Sequence, residues 1–194
     1  TEKMEVTGTV GKPAVADSFA ALAMPRFKFE NYFTMNQGIF EFLEVDPELL
    51  ERGTIRPVTM DELELLTDWM IAFRIESLNL EPLRSETGKK LQVEIENGSY
   101  FFYEEDGKVL STVAMARPMV NGISVNMVYT PPEYRKKGYA TSCVALLTQK
   151  LLNDGWKFTA LITDLDNPTS NSIYQKIGYK KVGESKDIRL RPQI

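Results

Sequence analysis

The chain has 194 residues and a formal net charge of −4, with 43% hydrophobic and 26% charged residues. This length suits one compact domain with an appendage, and the composition is that of a globular protein. Because the charge balance offers no broad basic surface and no segment approaches the roughly 20 apolar residues that span a bilayer, we expect no nucleic acid and no membrane as partner.

Two residue counts exclude whole classes of chemistry. Histidine is absent, and Cys143 is the only cysteine. These counts rule out Ser-His-Asp and Cys-His catalysis, an intramolecular disulfide and a cysteine-rich metal site, so we expect no metal. A single cysteine also fits a reducing, cytoplasmic setting.

Residues 1–53 contain a short predicted helix in VADSFAALAM and one or two predicted strands in NYFTMNQGIFEFLEV. The strands are predicted from aromatic and β-branched residues. Together these elements are too few for a domain of their own. The opening TEKMEV lacks an initiator methionine and a charged-then-apolar leader, which favours a fragment of a longer protein over a secretory leader.

From residue 54 the pattern predicts a short strand followed by two helices. Thr59 and Glu62 have the spacing of a capping box, which marks a helix start. The first helix has an apolar stripe at helical spacing, formed by Leu66, Met70 and Phe73. The second helix covers ETGKKLQVEIENG and ends at Gly98.

Three antiparallel strands follow. SYFFYEED and KVLSTVAMARPM flank Asp106-Gly107, a strong hairpin signal, and GISVNMVYT follows the turn at Asn121-Gly122. We therefore predict a meander.

The last part of the chain alternates helix and strand. A helix of about four turns runs from Gly138 to Asn153, with Cys143 beside its apolar stripe as a small buried side chain. FTALITD is a strand, NPTSNSIYQKIG is a short helix capped by Asn167, and YKKVGESKDIRL is the last strand. This order predicts a mixed sheet, antiparallel in its first half, with a crossover at the long helix.

The stretch VYTPPEYRKKGYAT lies between a predicted strand and the long helix. A helix N-terminus attracts anions through its free N–H groups, and three basic residues there are unfavourable unless an anion binds. A solvated turn fits the same residues. The spacing matches neither a Walker A loop nor a Gly-x-Gly-x-x-Gly fingerprint.

PPEYRKKGYAT resembles the Arg/Gln-x-x-Gly-x-Gly/Ala signature of the GNAT N-acetyltransferases, with Arg135, Gly138 and Ala140 in its defined places. NPTSNSIYQKIGYKKVGE resembles the second signature of that family. The resemblance covers about residues 54–194. It implies an α/β (α+β) fold with a mixed, mainly antiparallel six- to seven-stranded sheet flanked by helices, and a V-shaped splay between the fourth and fifth strands. Residues 1–53 resemble, more loosely, the tail of a degenerate acetyltransferase-like half.

The resemblance implies acetyl-coenzyme A as co-substrate, with its pyrophosphate on the amides of Arg135 through Ala140. Backbone groups of Val128 and Thr130 would pair with the pantetheine arm, and Asn167 would bond the same arm. Thr130 stands where valine or isoleucine is commoner in the family. The implied cofactor-binding residues are Val128, Tyr129, Thr130, Arg135, Lys136, Lys137, Gly138, Tyr139, Ala140, Thr141, Asn167, Ser170, Asn171 and Tyr174.

For catalysis, the resemblance implies that Tyr174 protonates the departing thiolate and that the amide of Val128 stabilises the oxyanion. No residue stands out as the general base. Asn126 is placed to position a substrate or a water molecule. Glu76 could reach the acceptor side, although an exposed helix face is the commoner setting for such a residue.

The leading hypothesis is therefore an acetyl-coenzyme A-dependent N-acetyltransferase acting by direct transfer on an amine in a ternary complex. The acceptor would be a small molecule or a peptide, and the protein a monomer or homodimer. A non-catalytic coenzyme A-binding or regulatory module is the alternative, because no base is evident. Nucleic-acid binding rests on the basic triplet alone.

Overall fold

The computed structural model of the protein describes residues 6–78 and 80–193. These residues form eight β-strands and five α-helices. In chain order the elements are β1 Gly8–Gly11, α1 Pro13–Phe27, β2 Phe29–Phe42, β3 Thr54–Pro57, α2 Leu63–Leu78, α3 Arg84–Glu96, β4 Tyr100–Glu105, β5 Lys108–Ala116, β6 Gly122–Tyr129, α4 Tyr139–Asn153, β7 Phe158–Asp164, α5 Pro168–Ile177 and β8 Lys180–Pro192.

The fold is mixed α/β, with mainly antiparallel strand pairing and flanking helices, as predicted. Strands β6 and β7 pair in parallel, and α4 is the crossover between them. The strand number exceeds the expected six or seven, since β1 was not foreseen. Its sequence GTVG has little β-propensity, and it forms a strand by pairing with one edge of β8.

The chain forms two compact units. The smaller unit comprises Thr1–Glu41, Ile162–Ser172 and Lys180–Ile194, and the larger comprises Phe42–Leu161 and Ile173–Tyr179. The division expected from the sequence, with 1–53 as the tail of an acetyltransferase-like half and 54–194 as the acetyltransferase domain, stays a prediction.

In the smaller unit, β8 pairs antiparallel with β1 on one edge and β2 on the other. Helix α1 packs on β8 through its alanine face. The residues of this contact are Ala16, Ala20, Ala23, Ile188 and Leu190. Because alanine is short, the helix lies close to the strand while its larger apolar residues face outward.

In the larger unit, β3, β4, β5 and β6 form antiparallel pairs in that order. Helices α2 and α3 cover one face, and the predicted stripe of α2 is at the centre of the core, with Leu66 and Met70 at most 2% exposed. The predicted capping box of Thr59 and Glu62 is present in the 3₁₀ turn Met60–Glu62 that leads into α2.

Helix α4 packs on β5 from the face opposite to α2 and α3. Ala114 of β5 belongs to the core under α2 and α3, so the neighbouring Val113 points to the other face by strand alternation. Of the predicted stripe of α4, Val144, Leu147 and Leu151 are buried, whereas Ala140 is only partly buried; Cys143 is buried as well. No helix in the described ranges is both long and apolar enough to cross a membrane.

Candidate functional site

The loop between β6 and α4, residues 130–138, is called here the α4 loop. It contains the 3₁₀ turn Pro132–Tyr134 and two left-handed residues, Lys136 with φ 62° and Gly138 with φ 86°. Gly138 is the N-cap of α4, and no described side chain caps the helix there. The first intrahelical bond runs from the Ser142 N–H to the Gly138 carbonyl, 3.1 Å. The earlier amides are therefore available to an anion.

Arg135 ties the α4 loop to helix α2. Its Nε donates to the Thr130 carbonyl at 2.8 Å, and its Nη2 donates to Glu76 Oε2 at 2.6 Å. The guanidinium lies 5.6 Å from the centre of the Tyr129 ring, whose hydroxyl donates to Glu76 Oε1 at 3.2 Å. Burial and the Glu76 charge raise the pKa of Tyr129. Glu76 lies on an exposed helix face, as expected, with a side chain that is 41% exposed, and from there it anchors the loop.

A β-bulge lies at the end of β6, directly before the α4 loop. Thr112 pairs with Tyr129 and Ala114 with Asn126, so Val113 alone stands opposite two residues of β6. One of them, Met127, has φ 50°, a left-handed conformation that is unusual for a non-glycine residue in a strand. Bulges interrupt the ladder and redirect side chains, and they are frequent next to active sites.

In the described part of the chain, the pairing of strands β6 and β7 lies where β6 begins. Their described parallel pairs are Gly122 with Phe158, Ile123 with Thr159 and Ser124 with Ala160. Beyond Ser124, β6 continues for five residues to Tyr129. The bulge and the start of the α4 loop therefore lie beyond the pairing with β7.

A groove of about 540 Å³ opens beside the bulge in the larger unit. Its lining is mostly apolar, with Tyr100, Met127 and Trp156 among the larger side chains. Polar groups come from Lys90 and Glu94 of α3, which approach each other to 3.7 Å, and from Ser99, Arg117 and Asn126. Asn126 Oδ1 is buried and has no hydrogen-bond partner among the described residues, which is costly for a polar atom.

Arg52 and Tyr103, which the sequence did not single out, hold the start of α4 together with Glu105. Arg52 forms a bidentate ion pair with Glu105 and donates from Nη1 to the Lys137 carbonyl at 3.1 Å. Tyr103 donates to the same Glu105 carboxylate at 2.7 Å. The sequence had no signal for this cluster, because Arg52 and Glu105 are 53 residues apart and occur in no periodic pattern.

The α5 segment carries the second signature. Asn167 caps the helix, since its Oδ1 accepts from the Ser170 N–H at 3.1 Å, as predicted. Asn171 donates from Nδ2 to two backbone carbonyls, and its Oδ1 is buried without a partner among the described residues. The Tyr174 ring packs edge-on against Tyr179 at 6.0 Å, and burial raises the pKa of Tyr174.

The sequence model of the acetyltransferase (GNAT) family matches residues 63–179, about three fifths of the chain. The chain belongs to the GNAT acetyltransferase family. The resemblance seen in the two signatures is thereby confirmed. No curated protein sequence matches the chain.

Solved structures of GNAT proteins share the fold. An acetyltransferase of the GNAT family from Colwellia psychrerythraea has a TM-score of 0.64 and 15% sequence identity to this chain. The match covers 96% of this chain and 66% of that protein. A GCN5-related N-acetyltransferase from Sphaerobacter thermophilus has a TM-score of 0.64 and 14% identity, with coverages of 92% and 58%. This chain thus spans less than two thirds of the length of these two proteins.

A shorter protein is also similar. An N-acetyltransferase from Staphylococcus aureus Mu50 has a TM-score of 0.55 and 18% identity, and the match covers 73% of this chain and 99% of that protein. At these identities the likeness establishes the fold alone.

Within this GNAT fold, the structure brings most of the predicted cofactor-binding residues together in the larger unit. These are Val128, Tyr129, Thr130, Arg135, Lys136, Lys137, Gly138, Tyr139, Ala140 and Thr141, which follow one another from the end of β6 into α4. Tyr174 also belongs to the larger unit, whereas Asn167, Ser170 and Asn171 belong to the smaller one.

Backbone groups of the α4 loop and of the adjoining end of β6 already form hydrogen bonds. The Arg135 N–H donates to the Pro132 carbonyl at 3.2 Å, which closes the 3₁₀ turn. The Tyr129 carbonyl accepts from Ser111 Oγ at 2.9 Å. The Arg135 N–H is therefore already used within the loop, unlike the amides of Lys136 through Ala140, which were also expected to bind pyrophosphate. The Arg135 side chain positions the loop.

Cys143 has no role in this site. It is fully buried in α4, and desolvation raises the pKa of its thiol to about 12. At neutral pH it is a protonated, apolar side chain, as expected from the sequence.

Proposed function

We propose that this protein is an N-acetyltransferase that transfers the acetyl group of acetyl-coenzyme A directly to an amine in a ternary complex. The observation that carries the proposal is the uncapped start of α4 behind a loop with two left-handed residues, at the position of the GNAT signature. Several unpaired N–H groups and the positive end of the helix dipole favour a bound phosphate group there.

In this proposal, the amides from Lys136 to Ala140 hold the pyrophosphate. The side chains of Lys136 and Lys137 are exposed beside these amides and add positive charge. The Thr130 carbonyl already accepts from Arg135, so we assign the backbone contact with the pantetheine arm chiefly to Val128. Asn167 uses its Oδ1 as the cap of α5.

The chemical step joins the amine nitrogen to the acetyl carbonyl carbon and breaks the bond from that carbon to sulfur. Negative charge develops first on the carbonyl oxygen, where the Val128 amide is the proposed hydrogen-bond donor. The bulge at Met127 gives this part of β6 a backbone direction that a regular ladder would not allow.

Tyr174 is the proposed acid that protonates the departing thiolate. Its raised pKa keeps the phenol protonated at neutral pH, as an acid must be before it acts. The proton that the amine loses returns to the phenolate through solvent, so that the products are the amide and free coenzyme A thiol.

The groove beside Asn126 is the proposed acceptor site. Its apolar lining suits the carbon skeleton of an amine, and the Glu94 carboxylate suits an ammonium group that replaces its 3.7 Å contact with Lys90. The acceptor class supported by these groups is a small molecule or peptide with a free amine and an apolar body.

Two measurements test this proposal. Calorimetric titration with acetyl-coenzyme A should show binding, and thiol release should depend on an added amine from a panel of polyamines, amino acids and short peptides. Binding without thiol release on any amine would favour a non-catalytic coenzyme A-binding module. No binding at millimolar ligand would contradict both functions.

A further inference from the structure

Arg52 occupies a tightly defined position next to the α4 loop. It lies between the 3₁₀ turn Pro47–Leu50 and strand β3 and is followed by Gly53, which has φ 59°. A Cβ atom on Gly53 would stand 2.5 Å from the Tyr103 hydroxyl. Glycine at position 53 therefore lets the chain pass close to the Tyr103 ring directly after Arg52.

Glu105 holds the Arg52 guanidinium from one side. Arg52 Nη2 donates to both carboxylate oxygens of Glu105, at 2.9 and 3.0 Å, and Tyr103 donates to Oε2 at 2.7 Å. The hydrogen bond from Tyr103, together with that from Arg52, lowers the pKa of Glu105. The carboxylate therefore stays ionised at neutral pH and offsets the charge of Arg52.

The other side of the guanidinium contacts the start of α4. Arg52 Nη1 donates to the Lys137 carbonyl at 3.1 Å, and its Cζ lies 5.5 Å from the centre of the Tyr139 ring. The Tyr139 ring in turn packs against Tyr103, with ring centres 5.8 Å apart. Arg52 thus contacts the residues on both sides of Gly138.

The hydrogen bond to Lys137 sets the direction of one particular amide. In a trans peptide the carbonyl and the N–H of the next residue point in opposite directions. The structure has no cis peptide bond in its described part. Since the Lys137 carbonyl points toward Arg52, the Gly138 N–H points away from it, outward from the start of α4.

We propose that Arg52 is a positioning residue, which orients the peptide between Lys137 and Gly138 so that the Gly138 N–H faces the bound phosphate. This inference rests on the proposed use of acetyl-coenzyme A. The effect is one of geometry, because Glu105 offsets the charge of Arg52. A lysine at position 52 would keep the charge and lose the planar fork that holds Glu105 and the Lys137 carbonyl at once.

The first test needs no ligand. Amide hydrogen exchange of Ser142, whose N–H donates to the Gly138 carbonyl at 3.1 Å, should be faster in Arg52→Ala and in Arg52→Lys than in the wild type. Arg84→Ala is the control, because Arg84 likewise forms ion pairs with acidic side chains, and its side chain is 50% exposed, against 49% for Arg52. Unchanged exchange in both Arg52 variants would overturn the inference, whatever the protein binds.

The second test is the affinity for coenzyme A, measured by calorimetry at 25 °C. Loss of a hydrogen bond from a charged donor predicts a dissociation constant about tenfold higher in Arg52→Ala. Arg52→Lys should lose most of the same affinity, and Arg84→Ala should bind like the wild type. Wild-type affinity in Arg52→Lys would overturn the geometric role and leave only a charge effect.

These tests separate the two proposals. If the wild type fails to bind coenzyme A, the proposed function fails, and the exchange experiment still decides whether Arg52 orders the α4 loop. If the wild type binds coenzyme A and both Arg52 variants bind it with wild-type affinity, the proposed function stands and the role of Arg52 is refuted. Thermal unfolding of each variant identifies any loss of binding that is due to global unfolding.

Discussion

The α4 loop and helix α5 carry the two family signatures, and they are held in place by different means. The loop is exposed and basic, and charged side chains anchor it, through Arg135 on Glu76 and Arg52 on the Lys137 carbonyl. In α5, Tyr174 packs on Tyr179 by aromatic contact. The Tyr179 hydroxyl is buried and bonds to two threonine hydroxyls, Thr148 and Thr159.

This difference fits the two tasks proposed above for the loop and for Tyr174. A phosphate-binding loop needs oriented N–H groups near positive charge, so charged contacts can hold it without harming its purpose. A proton-donating phenol needs to stay neutral, and an uncharged, desolvated setting raises its pKa. Changes in the loop should therefore alter binding of the acetyl donor, and changes at Tyr174 should alter turnover.

The largest effect is expected at Tyr174. Tyr174→Phe should lower kcat about 100-fold and leave KM for acetyl-coenzyme A nearly unchanged, because the ring packing is kept and only the acid is lost. The raised pKa keeps the phenol protonated as pH rises, so the wild type should show no phenol-linked fall in kcat below about pH 10.

Steady-state thiol release across this pH range measures both quantities. Tyr179→Phe is the matched control, since it removes a phenolic hydroxyl that bonds to Thr148 and Thr159 inside the larger unit. Tyr179→Phe should lower the free energy of unfolding and leave kcat unchanged. Full turnover in Tyr174→Phe would remove the acid role.

The next effect is expected at Gly138. Gly138→Val should raise the dissociation constant for coenzyme A by about 10- to 100-fold, because a β-branched residue is strained at φ 86° and would change the start of α4. Gly138→Asn should bind nearly normally, since asparagine tolerates this conformation. Calorimetric titration measures both.

Gly155→Val separates binding from stability. Gly155 has φ 100° and lies in the turn after the far end of α4, so the variant should be destabilised without a change in affinity. Equal affinity of Gly138→Val and the wild type would show that the left-handed N-cap is not required.

A smaller effect is expected from combining the two arginine contacts. Arg52→Ala and Arg135→Ala should each raise KM for acetyl-coenzyme A, and the double variant should raise it about threefold less than the product of the single effects. Both arginines hold the α4 loop. Because removal of one arginine already loosens the loop, removal of the other should raise KM by a smaller factor. Arg52 and Arg84, which share no partner, should instead give independent effects. Simple multiplication for Arg52 and Arg135 would mean that they act separately.

The smallest effect is expected at the exposed lysines. Lys136→Gln and Lys137→Gln should each weaken coenzyme A binding by about two- to threefold at low salt, because solvent and ions screen such charges. The difference should disappear at about 0.5 M salt, where the Debye length is much shorter than at 0.1 M. A large, salt-independent loss would indicate a direct contact that holds the phosphate in place.

Local features were predictable because each depends on neighbours in the chain. The capping box at Thr59 and Glu62, the cap at Asn167 and the glycine N-cap of α4 need only a few adjacent residues. The core stripe of α2 follows from the period of one helix. Strand β1 was not predictable, since two glycines in four residues carry little preference of their own.

The sequence alone determined the family, the order of the principal elements and the loop where an anion can bind, because spacing and turn chemistry are local properties. The tertiary structure decided what holds that loop. Arg135 and Glu76 are 59 residues apart and Arg52 and Glu105 are 53 apart, and only the packing of α2, β3 and β4 around the start of α4 brings their charges within hydrogen-bonding distance.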